Sequence, residues 1–354
     1  MKAWVLNNIG EIYYKDVAEP RILQNEVLIE VKAAGICGSD IPRIYETGAH
    51  RKPLIPGHEF SGKVVKCGET VNKRWIGKRV GVFPLIPCKE CEQCLKGKYE
   101  MCKQYSYIGS RTNGAFAEYV AVPEWNLIEI PDSVAYEEAA MLEPMAVAVH
   151  AMRRVEVSLE KTVVILGLGT IGQMLTMFLR DKGIKDIVVV GNKDFQEKIV
   201  GKFGISKEQY CDSRAQNISD FVREYTKGRG ADVVFECVGK NETISHAINI
   251  TSAGGQICLV GNPHTDMAFD KNTYWNILRG QLKIMGTWNS SYTGNFTDKT
   301  GIDDWEYAID LLRKKRIHPV DLITHRFAIR DLEQGYRIMK NKSQDYVKVM
   351  MINS

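Results

Sequence analysis

The sequence predicts an α/β protein with a β-rich first domain and a second domain built on a doubly wound parallel sheet. Up to about residue 143 the apolar segments are short, alternating and interrupted by Gly and Pro, as in a barrel or sandwich. After Lys161 continuous apolar runs alternate with helical patterns, as a parallel sheet covered on both faces requires. We expect domains at 1–150 and 151–289, followed by a mixed segment at 290–354.

Apolar patterning also predicts individual elements within this frame. The expected strands are 27–31, 62–65, 79–82 and 116–120 in the first domain, and 163–166, 187–190, 233–235 and 257–260 in the second. A helix is expected at 173–180, an amphipathic helix at 305–316 and a last strand at 347–351.

Composition excludes several classes of function. The 354 residues carry a formal net charge of only +4, and Lys and Arg do not form basic runs interleaved with aromatics, which argues against nucleic acid as a partner. No stretch approaches the roughly 20 uncharged apolar residues of a membrane helix. The N-terminus lacks a signal-peptide pattern, so we expect a cytoplasmic protein with no membrane partner. In a reducing compartment its clustered cysteines indicate metal binding rather than disulfides.

The most specific motif is a cluster of four cysteines with the spacing C-x2-C-x2-C-x7-C. Its members are Cys88, Cys91, Cys94 and Cys102. Four thiolates on a short loop suit the closed, tetrahedral coordination of a structural zinc. Free surface thiols and an iron–sulfur cluster are the alternatives. The usual iron–sulfur spacing, however, places the fourth Cys closer and before Pro, whereas Lys103 follows here.

A second, dispersed set consists of Cys37, His58 and Glu143. Each alone could be an ordinary core residue. Glu143, however, interrupts an apolar stretch, and an ionised carboxylate is seldom buried without a partner or a metal. A catalytic zinc needs about three N, S and O ligands and an open position, which this set supplies.

A glycine turn opens the second domain. It reads Gly167-Leu168-Gly169-Thr170-Ile171-Gly172, directly after the strand expected at 163–166 and before a helix. This context predicts a dinucleotide site, with Gly167, Gly169, Thr170, Ile171 and Gly172 around the pyrophosphate. The alternative is a Gly-rich turn that connects the strand to the helix and binds no dinucleotide.

The residues after the next strand bear on which nicotinamide cofactor binds. NAD-binding proteins carry an acidic residue there for the ribose 2′-hydroxyl, whereas this chain has Asn192 and Lys193. Without a carboxylate to repel a 2′-phosphate, these two residues favour NADP(H) over NAD(H). Alternatively, Lys193 is a solvated lysine and Asp194 takes the acidic role.

Taken together, these motifs resemble the zinc-containing medium-chain alcohol and polyol dehydrogenases. The run Gly57-His58-Glu59-x-x-Gly62, continued by Gly68 and Val71, is similar to their zinc signature. The resemblance implies a GroES-like catalytic domain completed by 290–354, a Rossmann domain, and two zinc ions per chain. The catalytic zinc would be held by Cys37, His58 and Glu143, with Glu59 either supporting these ligands or exchanging with Glu143.

The same resemblance implies roles for further residues and an assembly. Ser39 would accept the first proton from the alcohol, unless it is only a turn-forming serine. The family often has a His at the position of Pro42, so the proton must leave by another route here. Family members commonly pair through the edge of the Rossmann sheet, which implies a homodimer or homotetramer.

Substrate identity follows less directly. Glu in place of a Cys ligand is typical of the polyol branch, and several segments resemble its polyol-phosphate members. We therefore expect hydride transfer between NAD(P) and a secondary alcohol of a polyol or sugar phosphate, with Arg43, His50 and Arg111 as candidate phosphate ligands. The alternatives are a structural Arg43, an unphosphorylated polyol or diol as substrate, and a non-catalytic zinc-binding scaffold. The presence of every expected ligand argues against a scaffold.

Overall fold

The computed structural model describes residues 1–263, 265–294 and 302–353. The chain forms two compact units, one from Met1–Ala146 with Ser291–Ser354 and the other from Val147–Ser290. The predicted segment 290–354 includes residues 295–301 and 354, which lie outside the described residues. No helix in the described ranges is long and apolar enough to cross a membrane.

The first unit is β-rich. Its N-terminal part contains nine strands and the first helices: β1 (Lys2–Asn8), β2 (Glu11–Asp16), β3 (Glu26–Ile36), α1 (Asp40–Tyr45), β4 (Glu59–Cys67), β5 (Arg79–Val82), β6 (Leu85–Ile86), α2 (Glu92–Leu95), β7 (Ser106–Tyr107), β8 (Tyr119–Pro123), β9 (Leu127–Glu129), α3 (Tyr136–Ala140) and α4 (Leu142–Arg153), the last of which continues into the second unit.

The second unit alternates strands and helices from β10 onward: β10 (Val163–Leu166), α5 (Thr170–Asp181), β11 (Ile187–Gly191), α6 (Asp194–Lys202), β12 (Tyr210–Asp212), α7 (Ile218–Tyr225), β13 (Ala231–Glu236), α8 (Asn241–Ile250), β14 (Thr251–Leu259), α9 (Lys271–Gly280) and β15 (Lys283–Gly286). The C-terminal part of the first unit adds α10 (Asp304–Arg313), β16 (Ile323–Ala328), α11 (Leu332–Asn341) and β17 (Lys348–Ile352).

One sheet of the first unit brings distant parts of the chain together. Its strand order is β16-β17-β3-β4-β5-β9, with β8 also paired to β3. The long strand β3 therefore lies between β17, from the end of the chain, and β4. Aromatic side chains join the C-terminal part to the N-terminal part of this unit, since the rings of Trp4 and Phe116 both pack edge-on against Tyr336 of α11. The Trp305 ring packs edge-on against Phe83, and the Tyr292 ring packs against Phe83 in a tilted arrangement.

The sheet of the second unit is entirely parallel. Its order, β12-β11-β10-β13-β14-β15, places β10 at the point where successive connections change direction. Strands β10, β11 and β13 are buried along their whole length or nearly so, which explains their continuous Val and Ile runs. In such sheets a dinucleotide binds outside the carboxyl ends of the strands at this point.

The glycine turn between β10 and α5 is compact because two of its glycines approach closely. A Cβ atom on Gly172 would lie 1.9 Å from the carbonyl oxygen of Gly167, so no other residue fits there without moving the turn. Gly167 itself has a positive φ of 94°, which glycine adopts without strain. Gly169, by contrast, is open to solvent and precedes the first turn of α5.

The predicted α/β class is confirmed, whereas several predicted bounds are wrong. The helix expected at 173–180 begins at Thr170, because the glycine turn leads directly into α5. The helix expected at 305–316 is Asp304–Arg313 and ends before three consecutive basic residues. The strand expected at 116–120 is instead β8 at Tyr119–Pro123, since residue 117 forms only an isolated bridge to Ala3.

Candidate active site

Strand register brings the first two predicted ligands together. Cys37 directly follows β3, and His58 directly precedes β4. These strands are antiparallel, with Gly35 opposite Glu59, so the residues at their ends meet on one side of the sheet. Ligand atoms of Cys37, His58 and Glu59 all lie within 4.8 Å of one another, and both His58 and Glu59 are buried.

Glu59 is held by a buried lysine from the end of the chain. The Lys348 ammonium donates to the Glu59 carboxylate at 2.5 Å and to the Ile36 carbonyl at 3.3 Å. Lys348 reaches this position because β17 pairs with β3, with Val349 opposite Ile36. Two buried opposite charges are tolerated because each partners the other. The sequence prediction missed Lys348, since a lone lysine in a C-terminal strand gives no local signal.

Asp40 is a second residue that the prediction missed. It is fully buried on the first turn of α1, accepts from the Cys37 backbone N–H at 3.0 Å and pairs with Arg43 at 2.5 Å. Its carboxylate also faces His58 Nδ1 across 3.6 Å. Carboxylates commonly orient metal-binding histidines in this way. The spacing Cys-x-x-Asp was visible in the sequence and could have suggested this contact.

Glu143 is buried near the same residues but outside the tight group. It lies on the first turn of α4, and the Tyr107 hydroxyl donates to its carboxylate at 3.2 Å. Burial raises the pKa of Glu143 to about 7, an effect that nearby His58 reduces and nearby Glu59 increases. The Tyr107 ring packs edge-on against His58, with centroids 5.7 Å apart. Tyr107 was likewise not predicted.

The chemistry of this donor set fits a zinc ion. Burial, together with the neighbouring Glu59 and Asp40 carboxylates, raises the pKa of the Cys37 thiol to about 12. His58 Nδ1 is buried, and among the described residues the Asp40 carboxylate that faces it at 3.6 Å is beyond hydrogen-bond range. Thiol, imidazole and carboxylate groups therefore lie close together here, and a divalent cation would compensate the negative charge of this set. Zinc accepts all three ligand types.

The four-cysteine loop forms a second compact donor set. Its sulfur atoms lie within 4.8 Å of one another. Cys88 Sγ is 3.9 Å from Cys94 Sγ and 3.5 Å from Cys102 Sγ, and Cys91 Sγ is 4.0 Å from Cys102 Sγ. Four thiolates bound tetrahedrally at ~2.3 Å would lie about 3.8 Å apart. The loop therefore fits a closed zinc site.

The other predicted site residues of this unit lie at different depths. Ser39 is half-buried before α1 and makes no capping hydrogen bond with its side chain. Arg43 forms an ion pair with Asp40, and His50 is exposed. Arg111 is also exposed, with its guanidinium 4.5 Å from the centroid of the Tyr105 ring.

In the second unit, residues after two adjacent strands meet beside α6. Asn192 and Lys193 follow β11, and the pairing of Gly191 with Asp212 brings the residues after β12 alongside. There Arg214 pairs with both Asp194 and Asp212. Arg214 was not predicted, because nothing in the sequence shows that these two loops are adjacent.

Comparisons with known proteins agree with this geometry. A family model described as the alcohol dehydrogenase GroES-like domain matches residues 23–132, and one described as zinc-binding dehydrogenase matches residues 170–314. The chain belongs to the zinc-binding alcohol dehydrogenase family. It is therefore an oxidoreductase that acts on CH–OH groups in a class that uses zinc and a nicotinamide cofactor.

Particular relatives include polyol dehydrogenases. Galactitol 1-phosphate 5-dehydrogenase of Escherichia coli K12 is 32% identical over 95% of this chain and 96% of its own length. The crystal structure of galactitol-1-phosphate dehydrogenase from Escherichia coli matches with a TM-score of 0.90, 31% identity and full coverage of both chains. Sorbitol dehydrogenase of Bacillus subtilis is 33% identical over 74% of this chain and 75% of its own length. A zinc-binding dehydrogenase from Sinorhizobium meliloti 1021 bound to NADP matches with a TM-score of 0.88, 27% identity and 99% coverage of both chains.

The position of Asp40 makes a testable prediction about metal affinity. We expect Asp40→Asn to weaken zinc binding at the Cys37 and His58 site about 10–100-fold, because the carboxylate facing His58 is lost. Competition with a chelator measures this affinity. The exposed Asp16 provides a matched control, and Asp16→Asn is expected to leave zinc affinity unchanged. Equal zinc affinity in Asp40→Asn and the wild type would contradict the prediction.

Proposed function

We propose that this protein is a zinc-dependent dehydrogenase that oxidises a secondary alcohol of a polyol phosphate, similar to galactitol 1-phosphate, or reduces the corresponding ketose. The observation that carries the proposal is the close set of thiol, imidazole and carboxylate groups in the first unit, of which His58, Glu59 and Glu143 are buried. We place the protein in the cytoplasm, where thiols such as those of the four-cysteine loop stay reduced.

In this proposal Cys37, His58 and Glu143 hold the catalytic zinc, and the four-cysteine loop holds the structural zinc. When bound, the catalytic ion acts as a Lewis acid that lowers the pKa of an alcohol. Glu59 belongs to the tight group but is engaged by Lys348, so we assign it as a supporting residue that can exchange with Glu143. Asp40 orients His58, and Tyr107 orients Glu143.

The proton of the alcohol requires an acceptor among the chain's own residues. Ser39 lies two residues after Cys37, and its half-buried side chain is not used to cap α1. We assign Ser39 as the first proton acceptor. Pro42 cannot continue a relay, so we propose that the proton passes from Ser39 to solvent.

Arg111 is a better candidate phosphate ligand than Arg43. The Arg43 guanidinium is already paired with the buried Asp40. Arg111 instead stacks on Tyr105, whose ring packs against Tyr107 at a centroid distance of 6.3 Å. Since Tyr107 contacts Glu143, these side chains form a continuous wall from the surface to the candidate zinc site. An exposed guanidinium at its outer end can bind a phosphate through paired hydrogen bonds.

A substrate screen tests this proposal. We expect kcat/KM to be higher for polyol phosphates than for plain polyols, and Arg111→Ala to raise KM for the phosphate about 10–100-fold through loss of charge-assisted hydrogen bonds. Activity with plain polyols should change little. Exposed Arg223 offers a control, and Arg223→Ala should leave both activities unchanged. An equal effect of Arg111→Ala on both substrate types would contradict the phosphate assignment.

The second candidate function is a dehydrogenase of unphosphorylated polyols or diols. The similarity to sorbitol dehydrogenase supports it. The ion pair between Arg43 and Asp40 also supports it, because Arg43 is then already engaged by a carboxylate. A preference for plain polyols in the screen would favour this function. The non-catalytic scaffold would show no turnover with any polyol.

For the cofactor we propose NADP(H). The glycine turn, Gly167 to Gly172, would receive the pyrophosphate at the start of α5. Beside α6, Lys193 supplies positive charge next to the exposed amide of Asn192. Asp194, the alternative ligand for a ribose 2′-hydroxyl, is paired with Arg214. Arg214 is shared with Asp212, so the charge of Asp194 is partly compensated, which weakens its repulsion of a 2′-phosphate.

Cofactor preference can be measured directly. We expect kcat/KM to be higher with NADP⁺ than with NAD⁺, and Lys193→Ala to reduce the NADP⁺ value about tenfold or more, because a charged hydrogen bond to the phosphate is lost. The NAD⁺ value should be unchanged. Exposed Lys198 on α6, the helix that Lys193 precedes, is the matched control. A tenfold or greater preference of the wild type for NAD⁺ would reject this proposal.

We also propose that two copies pair through β15. This strand is one edge of the six-stranded sheet, so one side of its backbone has no strand neighbour within the described chain. Large apolar side chains are exposed on and beside it, namely Phe269, Tyr274, Trp275, Leu278, Ile284 and Trp288. Such a patch marks an interface, and a two-fold axis would let the same edge cover itself. A homotetramer would need a further contact between such dimers.

Sedimentation tests this interface. We expect Ile284→Lys to convert the dimer into a monomer, because it places a charge in the middle of β15. Ile76 of the first unit is similarly exposed and serves as the control, so Ile76→Lys should remain dimeric. If Ile284→Lys sediments like the wild-type dimer, β15 is not the interface.

A further inference from the structure

Glu236 is a buried carboxylate that the chemistry described so far does not use. It is the last residue of β13 and has no exposed surface. Acidic side chains are almost never fully buried unless they are paired. Within the described parts of the chain no lysine or arginine forms an ion pair with Glu236, so its partners must be of another kind.

Those partners are backbone amides and a hydroxyl on the loop that follows. Glu236 Oε1 accepts from the N–H groups of Val238 and Gly239, both at 2.9 Å, and from Thr243 Oγ1 at 2.7 Å. Thr243 lies in the first turn of α8. A single carboxylate oxygen therefore holds the loop 237–240 and the start of the next helix.

The backbone of Glu236 holds a second loop at the same edge of the sheet. Its carbonyl oxygen accepts from Val260 N at 2.8 Å and from Gly261 N at 2.9 Å, just after β14. The two loops also touch each other. A Cβ on Gly239 would lie 2.0 Å from the Asn262 carbonyl oxygen, and one on Gly261 would lie 2.1 Å from Gly239 N. Displacing either loop would therefore displace the other.

The first of these loops borders the glycine turn. Cys237 N donates to the Leu166 carbonyl at 2.9 Å, at the end of β10. Val238 packs against the turn so closely that a Cβ on Gly167 would lie 2.4 Å from its Cγ2. Both loops thus stand at the carboxyl ends of β13 and β14, beside the turn that would receive the pyrophosphate. In a doubly wound sheet this half of the edge receives the second nucleotide of a dinucleotide.

From these contacts we infer that Glu236 is a positioning residue that sets the two loops bordering the nicotinamide half of the cofactor groove. The inference rests on the proposed dinucleotide function of the second unit. Glu236 does not touch the cofactor. Its carboxylate fixes the loop 237–240 from beneath, while its carbonyl fixes the loop 260–262, so that their backbone groups are in place before the cofactor binds.

Cofactor binding without substrate tests this inference. We expect Glu236→Ala to raise the Kd for reduced cofactor about tenfold or more, measured by fluorescence titration, because three hydrogen bonds to one acceptor are lost. Glu236→Gln retains an acceptor oxygen and should stay within about threefold of the wild type. Zinc content should be unchanged in both variants. The amides of Val238, Gly239 and Gly261 should exchange faster with deuterium in Glu236→Ala than in the wild type.

Two further variants keep the test decisive. Thr243→Val removes one of the three donors and should raise the Kd less than Glu236→Ala does, so it substitutes if the alanine variant does not fold. Glu242→Ala removes an exposed carboxylate from the same turn of α8 and should not change the Kd. If Glu236→Ala, or Thr243→Val in its place, binds cofactor with wild-type affinity, the positioning role is overturned. Failure of the wild type to bind either NADPH or NADH would instead overturn the proposed function.

Discussion

The candidate active site depends on the burial of mutually repelling anionic groups at the ends of paired strands. Strands β3 and β4 bring Cys37, His58 and Glu59 together, and β17 adds Lys348 from the end of the chain. Without a cation, burial and the nearby carboxylates oppose ionisation of both groups and raise the pKa of the Cys37 thiol to about 12 and that of the Glu143 carboxyl to about 7. A divalent metal removes this conflict, because it stabilises the anionic forms in which these groups bind it. Lys348 donates its hydrogen bond to Glu59, and its charge also opposes the rise in the pKa of Cys37 and Glu143.

In the second unit, too, a few polar groups join segments that are distant in the chain. Several loops follow the carboxyl ends of its parallel strands, and hydrogen bonds between these loops keep them in position. The Glu236 side chain accepts hydrogen bonds from backbone N–H groups of one loop, and the Glu236 carbonyl accepts from those of a second loop. Glycines allow these two loops to touch. Arg214 links Asp194, the first residue of α6, to Asp212, the last residue of β12. In both places one polar group joins segments that lie beside the proposed cofactor site.

Much of the fold could be predicted from the sequence, because apolar periodicity reports burial directly. The continuous Val and Ile runs of β10 and β11 and the glycine turn before α5 indicated the parallel sheet. Element bounds were less predictable, as α5 and β8 show, since capping and pairing partners decide them. The clustered cysteines were recognisable because all four lie within one short segment.

Residues that act through tertiary contacts could not be predicted in this way. Lys348 reaches Glu59 across 289 positions, and Arg214 reaches Asp194 across 20 through an adjacent loop. Tyr107 gave no signal because its role depends on meeting Glu143. Arg43 illustrates the opposite case. It lies six positions after the predicted ligand Cys37, and in the structure its guanidinium is paired with Asp40.

The central claim is that Cys37 and His58 bind a zinc ion independently of the four-cysteine loop. The most direct measurement is the zinc content of the purified wild type beside Cys37→Ser and Cys94→Ser. Two zinc ions per wild-type chain are expected, and about one in each variant, with an X-ray absorption spectrum of four sulfur ligands for the ion that Cys37→Ser retains. Two zinc ions remaining in Cys37→Ser, or a single four-sulfur zinc in the wild type, would contradict the claim.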